Sequence, residues 1–96
     1  MNTFYLFEHH TGDDNDNSIS DVVVEATSKE EAQSILTTQN KTEGYDDDLG
    51  NEEVTGMKYE EDTPYHSDFY FQSEHETLQD AESARAQYHG YYEILK

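Results

Sequence analysis

Ninety-six residues with 23 acidic and 5 basic side chains, a formal charge of −18, make room for one domain and one modest core. They exclude a second lobe around a large cofactor cleft. So few Lys and Arg argue against direct contact with nucleic acid or an anionic membrane, both of which need cations to displace counterions. The absence of cysteine removes disulfides, thiolate nucleophiles and cysteine-ligated zinc.

Leu, Ile, Val and Phe amount to 16 of 96 residues, which with this charge leans toward disorder. Eight Tyr and four Phe pull the other way, since they supply large buried area and fall in periodic runs. The start, Met1-Asn2 followed by TFYLFEHH, has no basic leader and too short an apolar run for a signal peptide or membrane span, so the expected setting is soluble and intracellular.

In chain order, Thr3–Glu8 is β-prone and apolar on both parities, as a covered central strand requires. HHTGDDNDNS, His9 to Ser18, reads as a polar loop, and Ile19–Ala26 with Val22, Val23 and Val24 as the second arm of a hairpin. Ser28 and Glu31 form a capping box in which the Ser28 hydroxyl accepts from the Glu31 amide and the Glu31 carboxylate reaches back to the Ser28 amide. The helix it opens carries Ala32, Ile35 and Leu36 as its apolar stripe and runs to about Asn40. An acidic stretch follows, punctuated by Gly44, Gly50 and Gly56, with Val54–Tyr59 as a weak strand ended by Thr63-Pro64. Asp68–Gln72 is a short strand with Phe69 and Phe71 on one face. Thr77 caps a second helix whose inner side is Leu78, Ala81, Ala84, Arg85 and Tyr88, and Gly90 ends it ahead of a last strand, Tyr91–Leu95. The order implies an α+β fold: a small, mostly antiparallel sheet of three to five strands with both helices on one face.

The chemistry-bearing patterns are few. Asp14, Asp16, Ser18 and Glu25 occupy positions 1, 3, 5 and 12 of an EF-hand loop, but position 6 is Ile19 instead of Gly, Glu25 follows three valines, and no helix flanks the loop; an Asx-rich hairpin loop is the plainer reading. His9, His10, His66, His75 and His89 show no zinc-helix spacing, and the expected role is on the surface, with proton affinity raised by the acids around them. No carboxylate is set apart in an apolar context as an acid/base pair needs, and there is neither a phosphate loop nor a nucleophile elbow, so no enzyme activity and no cofactor are expected. Tyr5, Tyr70, Tyr88 and Tyr92 read as core, while Tyr45 and Tyr65, expected in loops, read equally as interface anchors.

The lopsided stretch is Glu43–Asp62, where 9 of the 23 acids surround one lysine, Lys58. A fold that holds such a run in shape is suited to a positive partner. The expected contact residues are Asp46, Asp47, Asp48, Glu52 and Glu53, then Glu60, Glu61 and Asp62, with Tyr45 and Tyr65, on the argument that these lie outside the helices and strands. A body about 30 Å across matches a length of duplex carrying ~18 phosphate charges at ~1.7 Å each, the same order as the net charge.

TFYLFE, VVVEATSKEEAQSIL and this acidity together resemble small phage-encoded anti-defence proteins, the anti-CRISPR and anti-restriction inhibitors that imitate DNA. The resemblance covers architecture and charge, not a motif, and assigns no residue by position. It implies an inhibitor of a host defence nuclease or CRISPR effector that binds a basic protein in the host cytoplasm. Three other readings stand beside it: an immunity-type inhibitor of a basic nuclease, a calcium-stabilised domain, and a halophile-type acidic domain with no mimicry. A homodimer is compatible with all of them.

Overall fold

The computed structural model describes residues 2–13, 16–49, 53–60, 63–85 and 92–95, and of 47–49, 60, 63 and 92–95 the backbone alone. The elements are β1 (Thr3–Gly12), β2 (Asn17–Ala26), α1 (Lys29–Thr42), β3 (Asp46–Leu49), β4 (Glu53–Glu60), β5 (Thr63–His75), α2 (Leu78–Arg85) and β6 (Tyr92–Leu95). They form one sheet in the order β3-β4-β5-β1-β2-β6, antiparallel throughout except that β6 runs parallel to β2. The α+β class is as expected, and the described residues form six strands where three to five were predicted. No described helix is long and apolar enough to cross a membrane.

The helices do not share a face. Alternation along β1 and β2 sends Tyr5, Phe7, Val22 and Val24 to one side, where Ala32 and Leu36 of α1 meet them. Leu6 and Val23 point to the other side, against Ala81 of α2 with Phe4, Leu78 and Ala84 around it. Topology supplies the reason. The β2-α1-β3 connection crosses the sheet toward one edge and β5-α2-β6 crosses toward the other, from parallel starting strands; two right-handed crossovers of opposite direction must lie on opposite faces.

Both helix starts follow local chemistry. Ser28 Oγ accepts from the Glu31 amide at 3.1 Å, as expected, but the Glu31 carboxylate reaches one residue further back than predicted, to the Thr27 amide (3.3 Å) and hydroxyl (2.7 Å). Thr77 Oγ1 accepts from the Asp80 amide at 3.1 Å. Tyr88, His89 and Gly90, expected to finish α2, lie outside the described residues.

The expected loop from His9 to Ser18 is mostly strand: β1 and β2 stay paired out to Gly12 and Asn17. Gly12 turns the chain with φ 138°, and a Cβ there would sit 2.0 Å from the Asp16 carbonyl oxygen, so only glycine fits. Asp13 Oδ1 accepts from the Asp16 amide at 2.8 Å, closing an Asx turn. β5 is likewise longer than predicted. Pro64 does not break it, because residues 63–65 pair only with β4, beyond the end of β1, where a missing N–H can fall on the unpaired side.

A bulge at Gln72 shifts the β1–β5 register between Leu6 and Phe7. Ser67, Phe69 and Phe71 therefore face α1, whereas Ser73 and His75, of the same parity, face α2. His75 consequently lies between Ser73 Oγ (2.7 Å) and Asp80 Oδ2 (2.9 Å), tying the end of β5 to the first turn of α2.

The C-terminal end of α1 settles on Gly56 of β4. A Cβ at Gly56 would come within 3.0 Å of the Asp46 carbonyl oxygen and of Tyr45 Cβ, and within 3.1 Å of Asn40 Nδ2. Gly56→Ala is expected to cost about 1–2 kcal/mol through this overpacking, read as a lower urea midpoint with an unchanged slope. A midpoint equal to that of the parent would refute the close approach.

Candidate functional site

The acidic stretch becomes the outer part of the sheet. Among the described residues β3 is an edge strand paired with β4 only, Asp46 opposite Met57, Asp47 opposite Gly56, Asp48 opposite Thr55 and Leu49 opposite Val54. Asp46–Asp48, Glu53 and Glu60 thus lie in strands, contrary to the expectation that they sit outside them. Asp is a poor strand former, yet a charged edge keeps other strands from adding to the sheet. Glu53 and Glu60 stand at opposite ends of β4, about 23 Å apart at ~3.3 Å per residue, with Asp46–Asp48 beside its middle. Glu52, Glu61 and Asp62 lie outside the described residues.

The two expected tyrosine anchors are on the α1 side. Tyr45 follows the Gly44 turn (φ 94°), and its amide donates to the Asn40 carbonyl at 2.8 Å. Tyr65 is not in a loop but in β5, opposite Lys58. Burial, then Glu43, then Tyr65 raise the Tyr45 hydroxyl above its usual pKa, which places the two phenols in one electrostatic neighbourhood.

The opposite face is different. Thr55, Met57 and Tyr59 alternate with the inward Val54 and Gly56 and emerge on the side away from α1, with Met57 51 % and Tyr59 76 % exposed. From β5, His66, Asp68 and Tyr70 join them. His66 Nδ1 lies 3.0 Å from Asp68 Oδ2 and its Nε2 3.2 Å from Asn17 Oδ1, so the ring is held at both nitrogens. His10 contacts the Glu8 carboxylate and meets the edge of the Tyr70 ring at 5.0 Å. Tyr70, expected in the core, is only half-buried. Its hydroxyl pKa is raised, first by burial and then by Asp68, Glu53 and Glu8, evidence that negative potential gathers on this face.

Asp21 in β2 is fully buried, and three further buried polar residues, missed in the sequence, form a chain behind this face. Asn40, Ser67 and His9 are all buried. Ser67 Oγ donates to Asn40 Oδ1 at 2.7 Å, and Asn40 Nδ2 donates to the Ser67 carbonyl at 3.2 Å. The Ser67 hydrogen being committed, His9 Nε2, 2.9 Å from Ser67 Oγ, carries a hydrogen and donates it. A Ser–His pair with its proton running this way is not a nucleophile and its base. The His9 ring stacks on Phe69 at 4.0 Å, and burial, with His10 and His66 adding to it, lowers its pKa from 6.5 to about 4. This reverses the expectation of a surface histidine with raised proton affinity.

The calcium pattern does not assemble. Ser18 pairs with Thr11 and Glu25 with Phe4, seven residues and about 23 Å apart along one strand, and Glu25 accepts from Asn2 at 2.9 Å. The Asp16 amide is taken up by the Asx turn, and Asp14 lies outside the described residues. Among the described residues no three His, Asp or Glu side chains converge as metal ligands do.

No family model, curated protein or solved structure matches the chain.

Proposed function

We propose that the chain is an acidic inhibitor that occupies the Lys/Arg-lined nucleic-acid channel of a host defence nuclease or CRISPR effector in place of the nucleic acid. The observation that carries this is the free β3–β4 edge, which strings Asp46, Asp47, Asp48, Glu53 and Glu60 along about 23 Å of one strand pair. The molecule measures 44 × 25 × 20 Å, longer than the compact body expected from its length. A duplex of 44 Å carries ~26 charges, so a net −18 gives a charge per length about two-thirds that of DNA.

The test is capture from a lysate of the host, followed by gel-shift competition with the captured protein's own DNA or guide RNA. Asp46→Asn/Asp47→Asn/Asp48→Asn is expected to weaken the complex more than tenfold, and the parent complex to weaken steeply with salt. The matched control is Glu30→Gln/Glu74→Gln/Glu76→Gln, three exposed acids away from β3 and β4; Glu31 is unsuitable because it caps α1. A captured protein that retains full nucleic-acid binding, or a control that loses as much affinity, overturns the proposal.

A further inference from the structure

Helix cover over the face opposite α1 is uneven. α2 packs on Leu6, Val23 and Phe4, at the end of the sheet near the start of β1. Toward the other end, Met57 and Tyr59 stay exposed. Next to them Asp46, Thr55, Gly56, Met57, His66 and Asp68 line a depression of about 280 Å³, the share of roughly nine waters at ~30 Å³ each. Gly56 contributes backbone only, its Cβ direction lying toward Asn40 and Tyr45 on the α1 side, and His66 is pinned against the wall by Asp68 and Asn17.

The chemistry of the lining limits what fits. A second copy would bring Asp46, Asp68, Glu8 and Glu53 against their own equivalents, and a nucleic acid would bring phosphates. Both are repelled. A purely apolar partner would strip water from Asp46 and Asp68 with nothing in exchange. A Lys or Arg side chain satisfies both requirements, its stem lying on Met57 and its head between the carboxylates.

We propose that this half of the sheet, which no described helix covers, is the docking face for a basic polypeptide, one Lys or Arg entering the depression between Asp46 and Asp68 while Tyr59 packs on the adjacent residue. This deepens the reading of the chain as a ligand for a basic protein, and rests on it. It moves the centre of contact from the β3 edge to the face that begins at Asp46. The raised phenol of Tyr70, a few residues along β5, accords with the same concentration of negative potential.

The probe is a nona-arginine peptide titrated into the 15N-labelled 96-residue chain at physiological salt. Amide shifts are expected to centre on Asp46, Thr55, Met57, His66 and Asp68. Asp46→Asn/Asp68→Asn and, separately, Met57→Ala/Tyr59→Ala should each weaken binding by roughly fivefold or more, whereas Glu30→Gln/Glu76→Gln, removing the same charge as the first pair, should stay within about twofold. Met57 and Tyr59 are exposed, so their loss leaves the fold intact, which circular dichroism checks. Peptide binding centred on α1, or a control as weak as the Asp46/Asp68 variant, overturns the face assignment and leaves the inhibitor reading standing. No binding at all sinks both. Self-association that is abolished by Met57→Ala/Tyr59→Ala would make a second copy the occupant and likewise overturn the proposal.

Discussion

Asn40→Ala is expected to lower stability by about 3 kcal/mol, as much as truncating a buried aliphatic side chain. Asn40 is fully buried at the end of the α1 stripe, four residues beyond Leu36, and its amide makes two hydrogen bonds to Ser67. Truncation removes both, at ~1 kcal/mol each, and leaves a void beside Gly56 and Tyr45, where the backbone is already in close approach and cannot settle inward. A urea titration should show the midpoint falling with the slope unchanged. Ser67→Ala should cost less, because it opens a smaller void and keeps the bond from Asn40 Nδ2 to the carbonyl of residue 67, although Asn40 Oδ1 and His9 Nε2 lose the hydroxyl, and in the double variant the two effects should fall short of additivity by about 1 kcal/mol. An additive pair would mean that Asn40 and Ser67 contribute separately and that the chain of hydrogen bonds has no collective role.

Such a pairing was partly legible in the sequence. Ala32, Leu36 and Asn40 recur at intervals of four, so the helix period alone puts Asn40 in the buried stripe. What the period omits is the polar residue waiting for it on β5. His9 was open to the same argument, since Tyr5, Phe7 and His9 share a parity on β1; the neighbouring His10 and the acid-rich turn drew the reading toward a loop. The capped helices and the hairpin were recoverable because their causes are local. β3 was not, because three consecutive aspartates oppose strand formation, and only the pairing partner, β4, makes the strand. Nor was the placement of the helices, which depends on strand order, and strand order leaves no mark on periodicity.

Of the candidate site, the inventory of acids could be read and their geometry could not. Asp46 and Tyr45 are adjacent in sequence, yet Asp46 lines the depression while Tyr45 belongs to the α1 side. The alternation Thr55, Met57, Tyr59 against Val54, Gly56, Lys58 held the information that two apolar side chains emerge on one face. A strand flanked by so many charges reads as weak by propensity, which masks that alternation. The bulge at Gln72 hides a further piece of the pattern by changing which parity of β5 faces α1.

The buried imidazole makes stability depend on pH in a direction opposite to that of the acidic surface. With 23 carboxylates, acidification should relieve self-repulsion and favour the folded chain. His9 opposes this. Its pKa is about 4 when folded against 6.5 for an unperturbed ring, so between those values the unfolded chain binds a proton that the folded one refuses. The contribution of a neutral His9 is whole above pH 6.5, is lost progressively as pH falls toward 4, and changes no further below it. Its size over that window is about 2–3 kcal/mol. His9→Phe keeps the stack on Phe69 and leaves Ser67 donating to Asn40, so it isolates the titration from the packing. Every other ionisable group is common to the two proteins. Urea denaturation at pH 7.5 and pH 4.5 should therefore show the parent losing about 2–3 kcal/mol relative to His9→Phe on acidification. Parallel profiles would mean that His9 takes up its proton without leaving the fold, and that the hydrogen bond to Ser67 does not depend on a neutral ring.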